Sequence, residues 1–233
     1  LALDHILLLG DSITAYSART NGYANHLRNE YTTKMDTIVR GFVGLNTRDA
    51  LPLILPILQS TAPASPSAHT ALVIAMLGSN DATNPDIPAA HVSLPDYTRN
   101  LIHIVSAIRD TAGPATRVLL LTPPFMSVDF MMHRTRETLK QYRDACLDAA
   151  RQIKSDGSVW NRVNFSVLDT WDALLGGEGL GDKPYELTAT RSLFEDGLHL
   201  SAKGNAILGK AIIAKIRADW DDLRKERMSN RLP

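Results

Sequence analysis

Ser12 stands in Gly10-Asp11-Ser12-Ile13-Thr14, and a serine hydroxyl attacks carbonyl carbon only when a base takes its proton. The best-placed base among seven histidines is His199, in Asp196-Gly197-Leu198-His199-Leu200-Ser201. Asp196 lies three residues earlier, so one turn can set its carboxylate against the imidazole Nδ1, fix the tautomer and stabilise the imidazolium. The oxyanion of a tetrahedral intermediate needs fixed donors. Gly44, in Gly41-Phe42-Val43-Gly44, offers an unobstructed backbone N–H. Asn80, in Gly78-Ser79-Asn80-Asp81, offers a side-chain N–H, and the amide of Ser12 itself makes a third. Asp11 and Asp81 read as supports that hold their loops by accepting backbone hydrogen bonds. Each piece has a plainer reading: Asp196 as a cap with His199 packed beside it, Gly44 as a tight turn, Asn80 as a loop cap. Together they make the parts of a serine hydrolase.

The remaining chemistry-bearing residues form no second set. His103 falls in a helical pattern, His69 and His91 in loops, and His133 follows Asp129 by four residues with no further feature. No cluster has metal-ligand spacing, so neither metal nor other cofactor is expected. The single cysteine, Cys146, excludes an internal disulfide and reads as a small buried hydrophobe. The formal net charge of +0 and the lack of a basic stripe argue against a nucleic-acid partner. No Gly-x-Gly-x-x-Gly follows the first strand, and Gly177-Glu178-Gly179-Leu180-Gly181 has the wrong spacing for a nucleotide loop.

These blocks need a scaffold, and 233 residues with 44% apolar content can bury a sizeable core. Apolar runs at His5–Leu9, Thr37–Val39, Ala71–Leu77, Arg117–Thr122 and Asn164–Leu168 read as strands buried on both faces. Between them Tyr97, Leu101, Ile104, Val105 and Ile108, and later Leu208, Ile212 and Ile216, keep the helical period. Ser201 suits an N-cap for the last helix, and Asn46 or Thr47 for a helix ending near Leu58. Loops are expected at Ser60–Ser67, Ala82–Pro95 and Gly176–Gly181. Alternating strands and helices predict an α/β fold, a three-layer α/β/α sandwich on a flavodoxin-like parallel sheet of about five strands. In such sheets ligands sit beyond the carboxyl ends of the strands, where the first three blocks fall. One domain is expected over residues 1–225, with a polar C-terminal tail at 226–233. Leu1–Gly10 reads as the first strand and not as a signal peptide, and Leu1, not being an initiator methionine, allows for an upstream segment. No apolar run approaches the ~20 residues that span a bilayer, so membrane insertion is not expected and a cytoplasmic location is.

With these residues in hand, the chain resembles the SGNH (GDSL-type) hydrolase family over roughly Ile6 to Ile216. The family's four name-giving residues fall on Ser12, Gly44, Asn80 and His199, with Asp196 completing a triad. The stretches Asn29-Glu30-Tyr31-Thr32, Lys34-Met35-Asp36, Arg40-Gly41-Phe42 and Asn46-Thr47-Arg48, and the turn Thr122-Pro123-Pro124, are similar to its isoamyl acetate-hydrolysing esterase branch. The resemblance implies hydrolysis of short-chain, chiefly acetate, esters through an acyl-enzyme. Sugar deacetylation, lysophospholipid or lipid cleavage, and acyl transfer use the same machinery and stay open. No Gly-x-Ser-x-Gly occurs, so the strained nucleophile elbow of α/β-hydrolases is not expected. Phe125 and Met126, with Phe130, Met131 and Met132, follow the fourth strand and are expected to line an acyl or alcohol pocket, ordinary core packing being the alternative. The partner is a small-molecule ester; oligomeric state is unreadable, with a homodimer left open.

Overall fold

A computed structural model describes residues 3–127, 130–131, 133–156, 164–176 and 190–228. The strands are β1 (Asp4–Gly10), β2 (Met35–Gly41), β3 (Thr70–Met76), β4 (Arg117–Leu121), a hairpin of β5 (Phe130–Met131) and β6 (Arg134–Thr135), and β7 (Phe165–Leu168). The helices are α1 (Ser12–Tyr16), α2 (Tyr23–Glu30), α3 (Thr47–Ala50), α4 (Ile54–Thr61), α5 (Leu94–Ala112), α6 (Arg136–Ser155), α7 (Thr170–Leu174) and α8 (Ala202–Asp219). Five strands pair in parallel in the order β2-β1-β3-β4-β7, the expected flavodoxin-like topology. Every residue of β1 and β3 is buried, which is why Ile6–Leu9 and Ala71–Met76 read as unbroken apolar runs, with polar Asp4, His5 and Thr70 only at the strand starts, whereas edge strand β2 is mostly half-buried. Helices α3, α4 and α6 pack with α5, and α2 and α7 pack with α8.

The helix ends follow local chemistry. Ser93 accepts from the Asp96 amide, Thr135 and Thr138 form a capping box, and Ser201 accepts from the Gly204 amide at 3.3 Å. α5 buries Tyr97, Leu101, Ile104, Val105 and Ile108 along one stripe. The single helix expected from Asn46 to Leu58 is divided. Asn46 caps α3, a 3₁₀ turn spans Leu51–Leu53, and α4 then runs to Thr61. Pro52 has no N–H to give the helical ladder, so the first segment cannot continue in α form. Consequently the loop expected from Ser60 begins two residues late. The glycine-rich loop expected at Gly176–Gly181 lies, past Gly176, outside the described residues. The chain beyond 225 is docked at its start, with Glu226 3.0 Å from Arg217 and the Met228 carbonyl accepting from Lys34 Nζ at 2.8 Å. Among the described residues no helix is long and apolar enough to cross a membrane.

Candidate active site

The sheet register aligns the blocks. Gly10 pairs with Gly41 on one side and Met76 on the other, so β1, β2 and β3 end level and release Ser12, Gly44 and Asn80 at one edge. Gly10 and Gly41 make this possible sterically. A Cβ on Gly10 meets Thr14 and the Met76 carbonyl, and one on Gly41 meets the Ala15 backbone. Helix α1 therefore sits directly on the strand ends. Asp11 caps it by accepting from the Ile13 amide at 2.9 Å, which leaves Ser12 at the first helical position, where an N–H has no partner within the helix.

The fourth block arrives from the other end of the chain. Asp196 accepts from the Leu198 and His199 amides at 3.0 and 2.8 Å, and Gly197 at φ +95° closes the turn. Phe194 and Leu200 bridge behind it, and the Ser127 amide donates to the Gly197 carbonyl at 2.9 Å. The turn brings His199 Nδ1 2.6 Å from Asp196 Oδ2, while Nε2 lies 2.9 Å from Ser12 Oγ. A carboxylate only accepts, so Nδ1 carries the proton and Nε2 is free to accept from the serine. Burial opposes ionisation of Asp196, but the His199 side chain and the two amides outweigh it and hold its carboxyl below the usual range.

Gly44 adopts φ +82° with open space where a side chain would stand. Asn80 Nδ2 donates to the Leu45 carbonyl at 2.9 Å, next to Gly44, which leaves its second N–H unused by that bond. Asp81 accepts from the Thr47 amide at 2.9 Å and from the Thr47 hydroxyl, so the third block is tied twice to the start of α3, three residues after Gly44. Asp11 holds its own turn, and Asp81 reaches across to the neighbouring one. Apolar Phe42 and Val43 are exposed beside Gly44, at 37% and 71%.

Phe125 and Met126 are corrected. Both are fully buried, and Phe125 packs edge-on against Trp171 and Phe194 at 5.6 and 5.2 Å. They belong to the core under the site and present no face to a ligand. The side chains of residues 130–132 lie outside the described residues. Cys146 is buried, its thiol pushed up to about 12, chiefly by burial. His91 and His5 are held elsewhere, by the Thr83 carbonyl at 2.7 Å and by Thr70 at 3.0 Å, and His69 pairs with Asp4 at 3.0 Å.

Three contributors escaped the sequence reading. Tyr16, one turn after Ser12, stacks on the His199 ring at 4.8 Å, and the Arg19 guanidinium covers its ring at 3.7 Å. The i, i+4 spacing from Ser12 is the signal that could have found Tyr16. Thr47 carries the Asp81 link. Arg134 is buried and donates to the Ser79 carbonyl, Asn80 Oδ1 and Thr83 Oγ1 at 2.7, 3.3 and 3.1 Å.

The model of the GDSL-like lipase/acylhydrolase family matches residues 8–207. The isoamyl acetate-hydrolyzing esterase 1 homolog of Mus musculus is 32% identical over 214 residues, 87% of this chain and 77% of that one. The lipase/acylhydrolase from Enterococcus faecalis superposes with a TM-score of 0.69 at 20% identity, over 99% of this chain and 100% of the other. An acetylxylan esterase from Geobacillus stearothermophilus superposes at 0.65 and 22% identity, over 92% and 94%. At such identities the two solved structures bear on the fold.

Proposed function

The chain belongs to the GDSL-like lipase/acylhydrolase family and is a carboxylic ester hydrolase, and on that footing we propose that it cleaves short-chain, acetate-type esters through an acyl-enzyme on Ser12. The observation that carries this reading is the continuous relay from Ser12 Oγ through His199 to Asp196, at 2.9 and 2.6 Å. As Oγ bonds to the ester carbonyl carbon, its proton passes to His199 Nε2, and Asp196 stabilises the imidazolium. The carbonyl oxygen becomes an oxyanion facing the N–H groups of Ser12, Gly44 and Asn80, whose positions are set before substrate arrives. Collapse breaks the bond to the alcohol oxygen, which leaves with the proton from Nε2. Water then gives a proton to Nε2 and adds to the acyl carbon, and as the bond to Oγ breaks Nε2 returns the proton to Oγ, which frees the acid and restores Ser12.

The substrate class draws support from the name of the mouse relative, and from Phe42 and Val43, which put apolar surface next to the Gly44 donor. The test is hydrolysis of p-nitrophenyl esters from acetate to palmitate by wild type and Ser12→Ala. Fastest turnover on acetate, reduced by about 10⁶-fold in the variant, is the expected result. A preference for long acyl chains rejects the short-chain assignment, and turnover that survives in Ser12→Ala rejects the nucleophile.

A further inference from the structure

A side-chain amide has two dissimilar ends, and only its nitrogen can serve an oxyanion. Turned by 180°, Asn80 would present an oxygen to the developing negative charge and repel it. The structure surrounds this amide with groups that accept no such reversal. Its Oδ1 faces Arg134 Nη2, which only donates, and its Nδ2 faces the Leu45 carbonyl, which only accepts.

We infer that Arg134 is a positioning residue for ester hydrolysis, holding the Asn80 amide with its N–H toward the oxyanion; the inference rests on the reading of Asn80 as an oxyanion donor.

The guanidinium is itself fixed. Nε donates to the Ser79 carbonyl at 2.7 Å, and Nη2 divides between Asn80 and Thr83. The side chain joins Ser79 and Asn80 of the third block to Thr83 beyond it, with 6% of the residue exposed. Its backbone belongs to β6, and the next residue, Thr135, caps α6, so a long helix anchors the approach. Nη1 is buried without a hydrogen-bond partner among the described residues. A buried cation is costly as pure scaffolding, and this one lies within 3.3 Å of the Asn80 amide oxygen. Asp11 is the carboxylate whose field reaches it, and burial lowers its proton affinity. A lysine keeps the charge but, as a single point donor, cannot reproduce a planar fork across Ser79, Asn80 and Thr83.

The experiment is a double-mutant cycle on p-nitrophenyl acetate with Asn80→Ala, Arg134→Met and the combination, read as kcat and KM separately and with Tm recorded for each. Arg134→Lys replaces Arg134→Met in the same cycle if the latter does not fold. Asn80→Ala is expected to lower kcat by about 10²- to 10³-fold. The Arg134 variant is expected to lower kcat by roughly 10- to 100-fold with KM little changed, the scale of coupling within one hydrogen-bond network. In the Asn80→Ala background the same change is expected to cost less than about 3-fold, because nothing remains to be oriented. Equal Arg134 effects in both backgrounds overturn the inference while leaving Asn80 as a donor. An Asn80→Ala enzyme with full kcat instead removes Asn80 from the oxyanion site, and the inference falls with that reading.

Discussion

Asp11 is sealed from solvent, and its carboxyl is pushed up to about 7, mainly by burial against the opposing bond from the Ile13 amide. Asp81 follows to about 6, again by burial, resisted by its bonds from Thr47. In the unfolded chain both titrate near 3.8, so between about pH 4 and 7 the folded state binds more protons than the unfolded one. Their contribution to stability is therefore full below about pH 4 and is lost as pH rises through 6 to 7. Asp11→Asn keeps an acceptor for the Ile13 amide but has no proton to lose. Its urea midpoint is expected to gain on wild type as pH rises from 4.5 to 8; a constant difference across that range contradicts the assignment. At this scale the sequence was legible wherever partners are close or their chemistry is unmistakable. Asp196 and His199 are one turn apart, and Ser12 stands out as a candidate by its type although 187 residues separate it from His199. Arg134 was hidden because its partners Ser79, Asn80 and Thr83 lie 51 to 55 residues away and none of them calls for an arginine. Phe125 and Met126 follow a strand at the site edge, as pocket residues would, and only their full burial and the packing of Phe125 against Trp171 and Phe194 reveal them as core.

Strands and helices differ in how much of themselves they announce. A strand buried on both faces reads as a near-continuous apolar run, so β1, β3 and β4 are legible directly, their polar residues standing only at the strand starts. The α3–α4 break was masked because an apolar period continues across Pro52, and the β5–β6 hairpin has two residues per strand, too few for any period. The two glycines of the second block separate what an element needs from what a loop needs. At Gly41 an added methyl collides with the α1 backbone, which cannot step aside. At Gly44 there is space, and the cost is the left-handed φ alone, about 1–2 kcal/mol. Gly44→Ala is expected to lose that much stability in thermal unfolding. Gly41→Ala is expected to lose more, together with p-nitrophenyl acetate turnover, because α1 carries Ser12. Equal losses refute this division.

At the scale of the molecule, the chain closes on itself through its last segment. Trp220, directly after α8, is 2% exposed, and Leu223 beyond it is 4% exposed. Glu30 of α2, its own side chain largely covered, meets the more exposed Arg217 and Lys225, both at 3.1 Å. Burial outweighs charge here: Trp220→Ala is expected to cost about 3–5 kcal/mol, a Tm drop on the order of 10 °C, and Glu30→Ala less than about 1 kcal/mol. Paired melts of the two variants check this, and a larger loss from Glu30→Ala reverses the ranking. The 187-residue span between Ser12 and His199 also has a meaning in time. At about 5–20 residues per second, a ribosome adds His199 roughly 10–40 s after Ser12, and by then β1 to β4 have all been made. On the proposed mechanism, Ser12 is without its general base throughout that interval. On the proposed mechanism, ester cleavage waits until His199 has joined the fold, so activity reports a chain that has folded past that residue.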